Sequence, residues 1–164
     1  MVATFSELPP AIFWILLSNF IYILHQIEEH SGDRFRSFIN NMLLPGKQPL
    51  TPRAVMVINV GLVWALMGTC LLASKYISPA FAVVALCLCW INALAHIVQA
   101  LATREYNPGL ITATALLLPS GLYGNLSLSA HISWPIQIGA MVLVILVHIG
   151  IAYHVARRVS ELKA

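Results

Sequence analysis

AIFWILLSNFIYIL (residues 11–24) runs directly into HQIEEH (residues 25–30), an apolar segment that ends in two carboxylates and two imidazoles. The 14 uncharged residues from Ala11 to Leu24 rise only about 21 Å as a helix, against a hydrocarbon core of about 30 Å. Pro9-Pro10 obstructs backward extension, with Glu7 just beyond it, so the economical extension runs forward through His25, Glu28 and Glu29. The first helix is therefore predicted over about residues 10–30, with these ionisable groups in or just under the membrane. Such groups are costly there and mark a functional site with a partner. His25 and Glu28 are i, i+3, and His25 and Glu29 are i, i+4, so the three project from adjoining parts of one face that Ser18 and Tyr22 continue. The competing reading starts the helix at Leu8, ends it at Leu24 and leaves HQIEEH as a polar exit segment among the headgroups.

Composition settles the class. A chain of 164 residues with 59% hydrophobic and 9% charged residues and a mean hydropathy of +0.83 is an all-α integral membrane protein rather than a soluble domain. Five segments have the length and character of spanning helices, about 10–30, 53–74, 79–103, 108–125 and 133–156, making one membrane domain over 1–164. No cleavable signal peptide is expected, because nothing positive precedes the first run and polar HQIEEH follows it. No inverted repeat of the transporter kind is visible. Arg34, Arg36, Lys47, Arg53, Arg104, Arg157, Arg158 and Lys163 fall on one side of these spans and Lys75 alone on the other. The positive-inside rule then puts the N-terminus outside and the C-terminus in the cytoplasm, in the inner (cytoplasmic) membrane. These cations are read as topology signals and not as a nucleic-acid surface. Cys70, Cys87 and Cys89 lie inside spans without disulfide or zinc-finger spacing.

Gly32 is a candidate C-cap for the first helix. Residues 34–44 place Phe35, Phe38, Ile39, Met42 and Leu43 on one face, with Asn40 and Asn41 elsewhere. That pattern predicts an interfacial amphipathic helix on the cytoplasmic surface beside HQIEEH. Asn59 is the one strongly polar residue inside the second span. The third carries a stripe of Cys89, Asn92, His96, Gln99 and Thr103. Asn107-Pro108-Gly109 reads as a helix start, with Asn107 at the N-cap and Pro108 at the first helical position. Thr112 follows one turn later, and Pro119, Gly121 and Gly124 are expected to bend or end the outer part of that helix. His148 lies in the fifth span, whereas His30 and Asp33 are expected to be solvated. On the predicted topology His25, Glu28, Asn59, Asn92, His96, Thr112 and His148 share the cytoplasmic third, about 5 to 14 Å from the boundary. A shared buried site accounts for that bias better than independent helix-end polarity.

His25-x-x-Glu28-Glu29 in a first membrane helix, then Asn92-x-x-x-His96 in a later one and Pro108-Gly109 soon after, resembles the HXXEE-domain family of small bacterial and archaeal membrane proteins. The resemblance covers roughly residues 11–157. It implies a shared site that includes His25, Glu28, Glu29, Asn92 and His96, and it implies no reaction. His148 joins on depth alone.

Imidazole and carboxylate together suit a divalent metal, zinc or non-haem iron, and such a cation would offset the burial of a carboxylate. The expected ligands are His25, His96 and His148 with Glu28 or Glu29, leaving a position for water or substrate. Adjacent glutamates point about 100° apart on a helix, so one would bind while the other orients a histidine or serves as general base. Asn92 would fix His96, and Tyr22, Asn59 and Thr112 would support the site. The expected function is a metal-dependent enzyme acting from the bilayer on a hydrophobic or amphiphilic substrate. One alternative is a metal-free acid/base isomerase or cyclase of a sterol or isoprenoid, with Glu28 or Glu29 as the acid. The other is a proton- or metal-ion transporter subunit, which would need a polar route through both leaflets.

Overall fold

Pro10 fits the first turn of a helix, where its missing N–H costs nothing, and α1 runs from there to His30. The computed structural model describes residues 9–164, so Glu7 and the alternative start at Leu8 lie outside the described residues. The 21 residues of α1 extend about 31 Å, which matches a hydrocarbon core only when the HQIEEH end is counted. Gly32 (φ 66°) and Asp33 (φ 61°) then turn the chain in the left-handed region, and Arg36 pairs with Asp33 across the turn.

The amphipathic helix α2 spans Arg34–Leu43 and lays Phe35, Ile39, Met42 and Leu43 over a cavity beside α1. Asn40 does not face away as the pattern suggested. Its buried amide brackets Leu50, donating to the Leu50 carbonyl and accepting from the Leu50 N–H at 2.9 and 2.8 Å, which ties the following loop back onto α2.

Thr51 caps α3, which runs Pro52–Tyr76 with π-helical bonding over Val57–Trp64. The helix α4, Phe81–Thr103, is the hub on which α1, α3, α5 and α6 all pack. Its buried face includes Ala82, Ala85, Leu86, Cys89 and Ala93, small enough in most positions for close helix approach.

Helix α5 occupies 110–129, with a π stretch at Ala113–Leu117 that ends one residue before Leu118-Pro119. Proline lacks the N–H that would bond the preceding turn, and widened bonding accommodates that loss. Of the two outcomes expected from sequence, a bend or an end, the helix does not end at Gly121 and Gly124 but continues to Ser129. A Cβ on Gly121 would lie 2.9 Å from the Leu86 carbonyl and one on Gly124 would lie 2.6 Å from the Leu86 side chain, so both glycines seat α5 on α4.

The last helix, α6, extends over Trp134–Lys163. It runs past residue 156, where Arg157 and Arg158 both reach Glu161 one turn on.

No strand occurs among the described residues. Among the described residues, four segments are long and apolar enough to cross a membrane: Pro10–Leu43, which holds α1 and α2, then Pro52–Tyr76, Phe81–Thr103 and Trp134–Lys163. Large apolar side chains such as Phe20, Val98, Leu101 and Ile149 face outward, as a protein solvated by lipid requires. The described residues are all-helical, and the length and composition of these helices are those of a membrane protein. Helix α5, rich in Ser, Gly and Thr, falls outside those four.

Candidate metal centre

Three helices and one loop converge where α1 passes α4 and the start of α5. His25 and Glu29 come from α1, one turn apart, and His96 from α4. One ligand atom from each lies within 4.8 Å of the others, and all three residues are buried. Nε2 of His25 is 3.6 Å from Glu29 Oε2, and Nε2 of His96 is 3.7 Å from Glu29 Oε1. Both separations are long for a hydrogen bond. They approach the spacing of about 3.4 Å between two ligands on one tetrahedral ion with bonds near 2.05 Å.

The surrounding hydrogen bonds decide which ring nitrogen carries the proton. Thr112 Oγ1 lies 2.6 Å from Glu28 Oε2 and 3.0 Å from His25 Nδ1. A hydroxyl has one proton, and a carboxylate at that distance takes it, so Thr112 accepts from His25 Nδ1–H. On His96, Nδ1 lies 2.9 Å from Asn107 Oδ1, and the Asn107 amide is oriented by donating to the His96 carbonyl at 2.8 Å. That nitrogen is therefore also a donor. Both imidazoles consequently present an Nε2 lone pair on the Glu29 side, the tautomer a metal ligand needs. Asn92 donates to His25 Nε2 at 3.1 Å, and His25 would have to give up that hydrogen bond to offer the same lone pair to a cation. The donor set, two imidazole nitrogens and one carboxylate oxygen, could hold a metal ion.

Glu28 is not part of this set. Its carboxylate accepts from the Tyr106 hydroxyl at 2.6 Å, from Ile111 N–H at 3.1 Å, and from the N–H and hydroxyl of Thr112 at 2.7 and 2.6 Å. Its lone pairs are committed to the first turn of α5, where a negative group is favoured. Its link to the site is indirect, through Thr112 to His25. On the loop side, partial burial first and then the Glu28 carboxylate push the Tyr106 phenol up from its usual range.

His148 is likewise separate. Its Nδ1 hydrogen-bonds the Val144 carbonyl of its own helix at 2.9 Å, and the ring lines the cavity instead of joining the three ligands. His30 differs in the opposite sense from the solvated side chain expected. It lies 3.2 Å from Glu29 Oε2 and 3.1 Å from Asn59 Nδ2, so Asn59 reaches the site through His30. Tyr22 is buried and stands edge-on to His25, with centroids 5.5 Å apart. Asn92 touches His25 where His96 had been expected.

Two further residues build the site. Asn107 is fully buried and serves His96, so it does not cap a helix; Gly109 holds the N-cap position and α5 begins at Leu110. Gly109 has φ 97°, and a Cβ there would stand 2.8 Å from His25 Cε1 and 2.9 Å from His96 Cε1. Its bare backbone is what the two rings rest against. The sequence signal was present in Asn107-Pro108-Gly109, but its local meaning as a helix start concealed its tertiary one.

Beside the centre lies a cavity of about 380 Å³, reached by Tyr22, Glu29, Asn59, Asn92, His96, Gln99 and His148 and otherwise walled by apolar side chains, most of them from α2, α3, α4 and α6. Phe35 of α2 covers it, with ring centroids 5.6 Å from His30 and 6.3 Å from His96.

Among curated proteins and among solved structures, none matches the chain. Its resemblance to a family does hold: residues 14–124, which contain every element of the centre just described, match the family described as proteins of unknown function with an HXXEE motif, and the chain belongs to that family.

Proposed function

We propose that this protein is an enzyme of the inner (cytoplasmic) membrane that uses a divalent cation, zinc or iron, held by His25, Glu29 and His96, to act on a hydrophobic or lipid-like substrate. The observation that carries this reading is the convergence of two imidazole lone pairs and a carboxylate oxygen in a buried site that opens on an apolar cavity. Two histidines and one carboxylate are the donors of catalytic zinc sites and of non-haem iron sites that keep positions open for substrate. A bound divalent cation would polarise a substrate or water oxygen there. Glu28 acts as a positioning residue, holding Thr112 so that Thr112 holds His25. Asn107 does the same for His96, and Phe35 shields the centre from water.

The topology we adopt has five spans, with 110–129 as the fourth, the N-terminus outside and α2 on the cytoplasmic surface. The placement of eight of the nine basic residues at one set of helix ends supports it.

Elemental analysis of protein purified without chelator tests the reading. About one equivalent of zinc or iron per chain is expected, and protein that is active without metal would overturn it. That outcome would favour a metal-free isomerase or cyclase of a sterol or isoprenoid, since Glu29 and Tyr22 both face the cavity and Trp64 stands edge-on to Tyr22. Ion flux in reconstituted vesicles would instead indicate a transporter subunit.

Thr112→Val tests the relay from Glu28. The change keeps the side-chain shape but removes the oxygen between carboxylate and imidazole, and the metal affinity should fall about 10–100-fold. Unchanged affinity in a metal titration, with helix content intact by circular dichroism, would show that Glu28 does not act through His25.

A further inference from the structure

α6 packs along α4 and makes at most marginal contact with any other helix, so the side it turns toward α3 is open. A cleft of about 700 Å³ lies there. Its walls are mostly apolar, with Val57, Leu62 and Gly150 among them, and its polar lining is Thr51, His154 and a basic end formed by Arg53 on α3 and Arg157 and Arg158 on α6. Glu161 pairs with both α6 arginines, but three guanidiniums against one carboxylate leave an excess of positive charge. Topology alone asks for cations at these helix ends and does not ask that they border one apolar cleft. Ile58, Val147 and Ile151 line this cleft and also the cavity at Glu29 and His96, so the two share an apolar wall.

We propose that the cleft between α3 and α6 binds an anionic phospholipid, with its phosphate at Arg53, Arg157 and Arg158 and an acyl chain running past Gly150, and that it is the lateral access route to the cavity. The identification of that lipid as substrate rests on the function proposed above; the binding itself does not. Basic groups beside an apolar groove at a membrane face recognise anionic headgroups by charge and the chain by burial. Distance adds a constraint on the reacting bond. Arg53 precedes Asn59, at the cavity, by six residues of α3, about 9 Å along the axis. With the phosphate held at the arginines, the part of the lipid level with His96 and Glu29 is the ester linkage or the first chain carbons, and the headgroup stays outside.

Native mass spectrometry of the full chain, titrated with phosphatidylglycerol and with phosphatidylcholine of the same chains, tests this. Wild type should retain phosphatidylglycerol preferentially. Arg53→Gln, Arg157→Gln and Arg158→Gln should each weaken phosphatidylglycerol about 5-fold and phosphatidylcholine, whose choline offsets its phosphate, by less than about 2-fold. Gly150→Phe is the complementary change. Gly150 lines the cleft and a Cβ there meets nothing within 4 Å, so a phenylalanine enters the cleft from a position with room at its base, and with helix content intact by circular dichroism retention of both lipids should fall. Equal retention of the two lipids by wild type, or lipid retention indifferent to Gly150→Phe, would overturn the assignment. Metal content read on the same samples separates the two proposals. Preference for phosphatidylglycerol in a protein that binds no metal sinks the enzyme reading alone, whereas metal bound without that preference sinks the lipid site alone.

Discussion

Glu29→Gln is expected to lower divalent-metal affinity by more than about 100-fold, beyond what loss of a supporting residue costs, while leaving the metal-free protein at least as stable as the parent. Glu29 supplies the only anionic oxygen facing His25 and His96 in the three-residue cluster. Glutamine keeps an oxygen that can accept from Gln26, which donates to Glu29 at 3.0 Å, but brings no charge. Without a cation, the buried carboxylate keeps the Gln26 amide at 3.0 Å and His30 at 3.2 Å as partners but no full counter-charge, so its removal should leave stability unchanged or raise it by up to about 1–3 kcal/mol. Isothermal titration with zinc and thermal unfolding in chelator read the two effects separately. Loss of affinity without loss of stability is the signature of a residue kept for function and not for the fold. A variant that binds metal within about ten-fold of wild type would remove Glu29 from the ligand set.

Gly109→Ala should produce the largest loss of stability among single-methyl additions, about 2–5 kcal/mol, and release the metal as well. Two costs add at this position. The backbone sits at φ 97°, where an L side chain costs about 1–2 kcal/mol. The new methyl would also stand 2.8 and 2.9 Å from the two imidazoles, and neither ring can retreat without breaking its bond to Thr112 or Asn107. Gly46→Ala isolates the first cost, because Gly46 also has positive φ, 79°, but its Cβ would meet open space. Chemical unfolding in detergent should show Gly46→Ala losing only about 1 kcal/mol. Equal losses for the two variants would mean that the rings do not rest on Gly109.

The sequence reached the membrane class, the helical character and the α1 face carrying His25 and Glu29 because these follow from quantities local to the chain. Run length against bilayer thickness places a span, and 3.6 residues per turn puts i and i+4 together wherever the helix ends up. The same arithmetic sets Glu28 and Glu29 about 100° apart but cannot say which faces inward, since that depends on how α1 is rotated against α4 and α5. Packing resolved it by offering Glu28 the N–H groups of Ile111 and Thr112, which leaves Glu29 to the histidines. Depth along the axis likewise brought His148 to the right level, but its azimuth turned its Nδ1 to the backbone of its own turn.

Asn107 and Gly109 were hidden for a related reason. A loop residue meets its partner through the closure of α4 onto α5, and neither helical periodicity nor turn propensity carries that information. What the chain determined by itself is which groups lie on which face of each helix and how deep. Only the tertiary structure, by setting the rotation of neighbouring helices and the path of the loop between them, decided that His25, Glu29 and His96 meet.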